Sequence, residues 1–150
     1  NMPALKAYWD GDDALFRAEV GVPGACDVDM IKRYFPDGTN WPPTNDAWAH
    51  ACLWWLMWPQ YAHLEGKPAE EALAEYVRST QADQSEGYTY AAAASKRRFP
   101  RCGGFIIWHG HDCFPCPVNN SIIDVDGRPK PAYYALREVF LAPAGEANAE

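Results

Sequence analysis

The distribution of apolar and polar positions along the chain predicts two short buried strands. Residues 14–20, ALFRAEV, form a mostly apolar run that Gly21, Pro23 and Gly24 close, and residues 102–108, CGGFIIW, form a second such run. Short apolar runs bounded by Gly and Pro are typical of buried strands. Because the second run is apolar on both faces, we expect it to be a parallel strand that helices cover.

Between the two strands the pattern first predicts two helices. Residues 27–34 have the length and the apolar spacing of a short helix. Thr44, Asn45 and Asp46 offer N-capping side chains, and residues 47–58 follow as a helix that is apolar around most of its circumference. A helix of that kind must be covered on several sides.

A longer helix precedes the second strand and a last helix follows it. Pro68 in a first-turn position, with acidic residues after it, suits a helix N-terminus. The helical period of about 3.6 residues continues to Arg98, and Gly87 is a candidate break within it. Pro131 opens the last helix, which extends to about Leu141.

This order of elements predicts a helix-rich α/β fold with parallel strands. Residues 109–120 form a polar, Pro-rich loop, and residues 121–128 form an extended piece with an Asp-Gly turn. We expect residues 1–141 to form one folded unit and residues 142–150 to be a mobile tail. In parallel α/β folds the sites lie at the C-terminal ends of the strands, so the loops after the two strands are the candidates here.

Composition and charge narrow the class of partner. A chain of 150 residues, 48% hydrophobic and 22% charged, has the size and composition of one globular domain. Its longest apolar cluster, residues 51–58, is far shorter than the ~18 residues of a membrane span. The net charge of -7 disfavours binding to nucleic acid, and the sequence has no cluster of Lys and Arg that would offset this repulsion. We therefore expect neither a membrane nor a nucleic-acid partner.

Aromatic residues are frequent, at 14% of the chain, and seven of them are Trp. Large flat apolar faces suit a core, and they also suit stacking against sugar rings. Trp108 closes the second strand, where a core position and a sugar-stacking role are both open. Five others are expected in the core because their spacing suits a buried helix and its approach: Trp41, Trp48, Trp54, Trp55 and Trp58.

The loop after the second strand holds residue types that zinc takes, namely His109, His111, Cys113 and Cys116. Their spacing converges on one ion only if the loop wraps tightly around it, and no second ligand pair stands at typical finger spacing. We therefore expect no metal and no cofactor. The five cysteines cannot all pair within one chain, and we expect them to be mostly reduced.

Glu19 is one residue from the end of the otherwise apolar first strand. A carboxylate is costly to bury without a partner, so this one belongs either to a solvent-accessible strand end or to a site. Two ordinary alternatives remain: hydrogen bonds from nearby backbone N–H groups, and an ion pair with Arg17.

Several stretches together resemble the last quarter of the catalytic barrel of glycoside hydrolase family 2, and most of all its β-mannosidase-like branch. They are LFRAEVG, DVDMIKRYFP, WPPTNDAWAH, RCGGFIIWHGHDCFP and SIIDVDGRPKPAYYALREVF, in that order. The similarity runs from residue 15 to residue 140. It implies a partial TIM barrel, in which this chain supplies strands seven and eight of the (β/α)8 barrel with their following helices.

The resemblance also implies roles for individual residues. Glu19 matches the catalytic nucleophile, Trp108 the aromatic residue under the reacting sugar, and Asp112 a polar residue of the adjacent loop. His109 and His111 stand in that loop, where amide side chains are familiar in the family, and they are expected to contact the substrate. The implied reaction is the retaining hydrolysis of terminal β-glycosidic bonds, as in a β-mannosidase or a β-galactosidase.

One catalytic group of the family is missing. A retaining glycosidase needs a second carboxyl about 5 Å from the nucleophile, which serves as acid and base. In this family it is a Glu preceded by Asn, and no Glu of this sequence follows an Asn. Proton transfer alone contributes about 10²–10⁴-fold to such a rate. We therefore expect a fragment of a glycosidase that is inactive on its own.

The expected partners are a carbohydrate substrate and the remainder of a parent enzyme chain. Because family members that act on polysaccharides are often exported, we expect the parent enzyme to be periplasmic or secreted. A two-stranded piece of a barrel has exposed edges, so self-association through them is also expected. Two other classes stay open: a non-catalytic carbohydrate-binding or interaction module that uses exposed Trp residues, and a small zinc module.

Overall fold

The computed structural model describes residues 1–36, 38–49 and 53–143, and about half of these residues are helical. The helices are α1 (Met2–Gly11), α2 (Val28–Tyr34), α3 (Asp46–Ala49), α4 (Trp54–Tyr61), α5 (Ala69–Arg97) and α6 (Pro131–Leu141), with a 3-10 turn at Ala62–Leu64. The strands are β1 (Arg17–Val20), β2 (Gly24–Ala25), β3 (Phe105–Ile107) and β4 (Val118–Asn119).

The two predicted strands pair with each other, and their parallel arrangement is confirmed. Within β1 and β3, Arg17 lies opposite Phe105 and Val20 opposite Ile107. The ladder continues beyond the strands, since Gly103 N–H donates to Leu15 O at 2.8 Å. The prediction that helices cover both faces of the second strand is wrong for the described residues. Ile106 is 56% exposed, because helices cover one face of this sheet only.

A second, smaller sheet follows the ends of the main strands. In it, β2 pairs antiparallel with β4, with Gly24 opposite Asn119 and Ala25 opposite Val118. The pattern of the sequence did not predict these two-residue strands. The predicted Asp-Gly turn is confirmed: Gly127 has a φ of +79°, and its N–H donates to Asp124 O at 3.0 Å.

The predicted helix over residues 47–58 is wrong in its continuity. Two helices, α3 and α4, stand in its place, and residues 50–52 lie outside the described part of the chain. Leu53 is not helical, because its N–H donates to Val118 O at 2.9 Å and ties the segment to β4. The predicted cap is confirmed at Asn45, whose Oδ1 accepts from the N–H of Ala47 at 2.9 Å.

Helix α5 is the longest element, at 29 residues, and it passes through Gly87 without the candidate break. A Cβ at Gly87 would lie 2.9 Å from Val22 Cγ1, so this glycine permits close packing instead of ending the helix. The remaining helical predictions, α2 and α6, are confirmed. Helix α1 was not predicted.

Two apolar clusters flank α5. The first surrounds Tyr76, which packs edge to face on Trp41 at 5.6 Å and on Tyr61 at 5.3 Å between ring centroids. The predicted core positions of Trp41 and Trp48 are confirmed, whereas Trp55 is 56% exposed on α4 and its prediction is wrong.

The second cluster lies between the main sheet and helices α1, α5 and α6. Its members include Trp9, Val20, Tyr88 and Leu136. None of the helices in the described ranges is long and apolar enough to cross a membrane. Residues 144–150 of the predicted mobile tail lie outside the described residues.

Candidate active site

Glu19 and Trp108 lie on adjacent strands at the C-terminal end of the main sheet. The Trp108 N–H donates to Val20 O at 2.8 Å, which fixes Trp108 beside the residue that follows Glu19. Both side chains reach solvent, and Trp108 is 46% exposed. The two positions that the sequence singled out on separate strands are therefore brought together.

The orientation of Glu19 follows from an irregular register. Between Arg17 and Val20 the pairing of β1 with β3 shifts, and Ala18 and Glu19 are both exposed in succession. A bulge of this kind interrupts the regular alternation of side chains and re-aims one of them, and such bulges are frequent beside active sites. Glu19 lines an open cavity of about 350 Å³ together with Tyr8.

Arg17 does not pair with Glu19, which removes one of the ordinary explanations for that carboxylate. Arg17 instead holds Asp12, to which its Nε donates at 3.1 Å. The hydrogen bond from Arg17 lowers the pKa of Asp12 below its usual range. Among the described residues, no hydrogen bond or ion pair reaches the Glu19 side chain.

The loop after β3 carries the other predicted residues. The His109 ring lies against Trp108, with 4.8 Å between ring centroids, and the peptide bond between the two residues is cis. His111 is exposed, and its backbone forms a parallel bridge with Ile123. His109 and His111 therefore stand close to Trp108 along one loop that a neighbouring segment supports.

Asp112 belongs to the same loop, but its side chain faces the protein. It is 2% exposed, and its carboxylate accepts from Asn119 Nδ2 at 3.0 Å and from Cys26 Sγ at 3.6 Å. Burial raises the pKa of the Cys26 thiol to about 12, so the thiol keeps the proton that it donates. In this arrangement Asp112 anchors the loop to β4 and to the residue that follows β2.

The metal-ligand types of the loop do not form a cluster in the described part of the chain. No group of three or more His, Cys, Asp or Glu side chains there could hold a metal ion. Cys113 is exposed and Cys116 is buried, so the two thiols of the Cys-x-x-Cys pair lie in different environments.

Helix α5 supports the site with a polar stripe that the sequence analysis missed. Gln84 Nε2 lies within hydrogen-bond distance of three carbonyl oxygens, those of Val22 at 2.9 Å, Asn119 at 3.2 Å and Ser121 at 3.1 Å. One turn on, the Tyr88 hydroxyl donates to Asn120 O at 2.7 Å and lies 3.3 Å from Trp108 O. Burial raises the pKa of Tyr88, which keeps this donor protonated.

A buried lysine completes the support. Lys130 is 3% exposed, and its Nζ donates to Gly24 O at 3.0 Å and to Ser121 Oγ at 3.2 Å. The signal for Gln84 and Tyr88 was in the sequence, because polar side chains at four-residue steps within an otherwise apolar helix face require buried partners.

Comparison with known proteins identifies relatives of part of the chain. No protein-family model matches it. Over 71 residues it is 36% identical to β-mannosidase B of Aspergillus niger and to that of Aspergillus flavus, and 34% identical to that of Aspergillus terreus. Each match covers 45% of this chain and 8% of the relative.

A solved structure has a similar fold over more of the chain. The β-D-mannosidase of Dictyoglomus thermophilum matches with a TM-score of 0.68 and 21% identity, over 90% of this chain and 17% of that protein. The chain thus shares its helix-rich fold with a small part of a β-mannosidase. Together these relatives support a glycosidase origin of the β-mannosidase kind.

Proposed function

We propose that this chain is the C-terminal quarter of the catalytic (β/α)8 barrel of a family 2 glycoside hydrolase of the β-mannosidase-like branch. In this proposal β1 and β3 are strands seven and eight of the barrel, and α5 and α6 are the helices that follow them. The parent enzyme cleaves terminal β-glycosidic bonds, and the chain requires the rest of that enzyme to do so.

One observation carries the proposal: an exposed carboxylate, which has no partner among the described residues, and an exposed Trp end two neighbouring parallel strands. Trp108 is joined to Val20 across the strands at 2.8 Å, and Glu19 precedes Val20. A carboxylate and an aromatic face in adjacent positions suit a sugar, because the ring stacks while the anomeric carbon meets the nucleophile.

In the proposed reaction Glu19 attacks the anomeric carbon as the bond to the leaving oxygen breaks, which gives a glycosyl-enzyme ester. Water then cleaves the ester with retention of configuration. Trp108 lies under the sugar ring, while His109 and His111 contact it from the loop. Asp112 is also proposed as a site residue. Its contacts with Cys26 and Asn119 support a role in holding the loop that carries His109 and His111.

The isolated chain is proposed to be inactive. The leaving oxygen needs a proton from a second carboxyl, and the Asn-Glu pair that supplies it in the family is not in this sequence. The chain matches only 17% of the solved β-mannosidase, so the remaining strands would come from the rest of the parent polypeptide. A periplasmic or secreted location is proposed for that parent.

The test uses a polypeptide extended upstream through the missing strands. It is incubated with a panel of 2-deoxy-2-fluoro glycosyl fluorides and then analysed by intact mass and peptide mapping. We expect a stable adduct on Glu19, from the mannosyl reagent above all. An adduct on another residue, or none from any sugar, contradicts the proposal.

A second measurement tests the nucleophile by substitution. Glu19→Ala should abolish turnover, and azide should partly restore it by replacing the carboxylate as nucleophile. Glu65→Ala is the matched control, because Glu65 is an exposed carboxylate outside the site. Unchanged turnover of Glu19→Ala excludes the assignment.

The exposure of Trp108 favours a second candidate function, a non-catalytic carbohydrate-binding module. This function predicts glycan binding by the 150-residue chain alone. Binding should survive Glu19→Ala and disappear with Trp108→Ala, whereas the fragment proposal predicts no such binding by the isolated chain. Isothermal titration with mannan oligosaccharides separates the two functions.

A further inference from the structure

Asn120 is a buried polar residue that packs directly against the end of β1. It is 9% exposed, and its Nδ2 would lie 2.5 Å from a Cβ on Gly21, the first residue after β1. Only a glycine at position 21 leaves room for this amide. Gly21 is two residues from Glu19, so the Asn120 amide packs against the segment that directly follows the proposed nucleophile.

The backbone of Asn120 is fixed on both sides. Its N–H donates to Asn119 Oδ1 at 2.9 Å, and its carbonyl oxygen accepts from the Tyr88 hydroxyl at 2.7 Å. The same hydroxyl lies 3.3 Å from Trp108 O. The Tyr88 hydroxyl therefore links the backbone of Asn120 to that of Trp108.

The Asn120 side chain itself has no partner in the described part of the chain. Its Oδ1 is buried without a hydrogen bond, and none is made by its Nδ2. The neighbouring Asn119 differs, since its Nδ2 donates to Asp112 and its Oδ1 accepts from Asn120 N–H. A buried polar atom without a partner costs stability, and such an atom in a folded protein calls for an explanation such as a functional role.

We propose that the Asn120 amide is a further substrate-contacting group, which hydrogen-bonds a ring hydroxyl of the sugar bound between Glu19 and Trp108. An uncharged carboxamide both donates and accepts, as a hydroxyl does, so the two groups are complementary. The inference rests on the proposed glycosidase function and adds a residue that recognises one hydroxyl of the substrate by a hydrogen bond.

The test is made on the full-length enzyme with 4-nitrophenyl β-D-mannopyranoside. Asn120→Leu keeps the size of the side chain and removes its hydrogen bonds. We expect kcat/KM to fall roughly tenfold or more, which is the worth of one hydrogen bond. Tm should stay the same or rise, because the substitution removes a buried oxygen that has no partner in the described part of the chain. Asn119→Leu is the contrast, and it should lower Tm because it frees Asp112.

Monodeoxy analogues of the same mannoside, each lacking one hydroxyl, identify the hydroxyl to which Asn120 is hydrogen-bonded. In the wild-type enzyme one deoxy position should reduce kcat/KM strongly, and in Asn120→Leu that position should no longer matter. An unchanged kcat/KM in Asn120→Leu overturns the inference. So does a joint fall of Tm and activity in which every deoxy effect persists, because that result assigns Asn120 a structural role.

The proposed glycosidase function can be rejected independently of any Asn120 variant. It is rejected by a wild-type enzyme that hydrolyses none of these mannosides, or by a Glu19→Ala enzyme that remains fully active. An inactive Glu19→Ala beside an Asn120→Leu enzyme with wild-type kinetics removes the Asn120 inference alone.

Discussion

Arg17 donates to Asp12, a carboxylate whose side chain is fully buried, through both Nε and a terminal guanidinium nitrogen. Arg98, the residue that follows helix α5, donates to the same carboxylate at 2.5 Å. Asp12 thus ties the residues before β1 to the end of α5. Because Arg17 is engaged by Asp12, it does not pair with Glu19, whose side chain is exposed at the end of the strand.

The Asp12 pair predicts a specific dependence of stability on pH. The hydrogen bond from Arg17 lowers the pKa of Asp12 in the folded state, so the unfolded chain binds more protons in acid. This contribution is present above the unfolded pKa of about 3.9 and is lost as the pH falls through the lower, folded pKa. Asp12→Asn should therefore destabilise the chain at pH 7 and progressively less below about pH 4.

Urea unfolding of both proteins at several pH values measures this difference. Asp13→Asn is the control, because Asp13 is an exposed neighbour outside the ion pair. A gap between wild type and Asp12→Asn that does not change with pH would show that the carboxylate's charge contributes nothing.

Gly24→Ala should destabilise the chain by about 1–3 kcal/mol through overpacking. A Cβ on Gly24 would lie 2.7 Å from Gln84 Cβ and 2.6 Å from Gln84 Cδ, and the three carbonyls that Gln84 approaches prevent it from moving away. Gly11→Ala is the matched control, since a Cβ there meets nothing within 4 Å. Denaturant melts that give equal midpoints for both variants would contradict this account.

Tyr88→Phe tests whether α5 positions the ends of the strands. The ring stays in the second apolar cluster, while Asn120 O loses its donor, so the free energy of unfolding should fall by about 1 kcal/mol. In the proposed parent enzyme we expect kcat to fall more than this loss of stability explains, because the carbonyls of Asn120 and Trp108 lose a shared support.

Tyr134→Phe is the control for that variant, because Tyr134 is 57% exposed on α6. Thermal melts and steady-state kinetics on both variants separate the two effects. A Tyr88→Phe enzyme with lower Tm and unchanged kcat would limit Tyr88 to a structural role.

Local sequence signals were sufficient where one segment determined its own structure. The capping side chain of Asn45, Pro131 at the start of α6 and the Asp-Gly turn all gave correct elements because each acts within a few residues. The position of Glu19 at the end of a short apolar run was equally local. Its proximity to Trp108 followed from the family resemblance, which makes the two runs consecutive strands of a barrel.

The features that were missed depend on contacts between distant segments. The helix over residues 47–58 is interrupted because Leu53 N–H bonds to Val118 O, a residue far along the chain. The carbonyls held by Gln84 and Tyr88 belong to loops that meet only in the folded chain. Periodicity in the sequence cannot show which backbone group a buried polar side chain will meet.

The open face of the main sheet predicts that the 150-residue chain self-associates when it is separated from the rest of the proposed enzyme. Leu15 is 66% exposed, Phe16 52%, Ile106 56% and Trp108 46%, and all four lie on or beside the two parallel strands. Apolar surface next to unpaired strand edges drives association.

Ile106→Lys should shift the chain toward monomer, because it adds charge to this face without disturbing a buried contact. Light scattering over a range of concentrations measures the shift, and Trp55→Lys, at an equally exposed position on α4, should leave association unchanged. A wild-type chain that is monodisperse and monomeric at every concentration would show that this face does not bind a second copy.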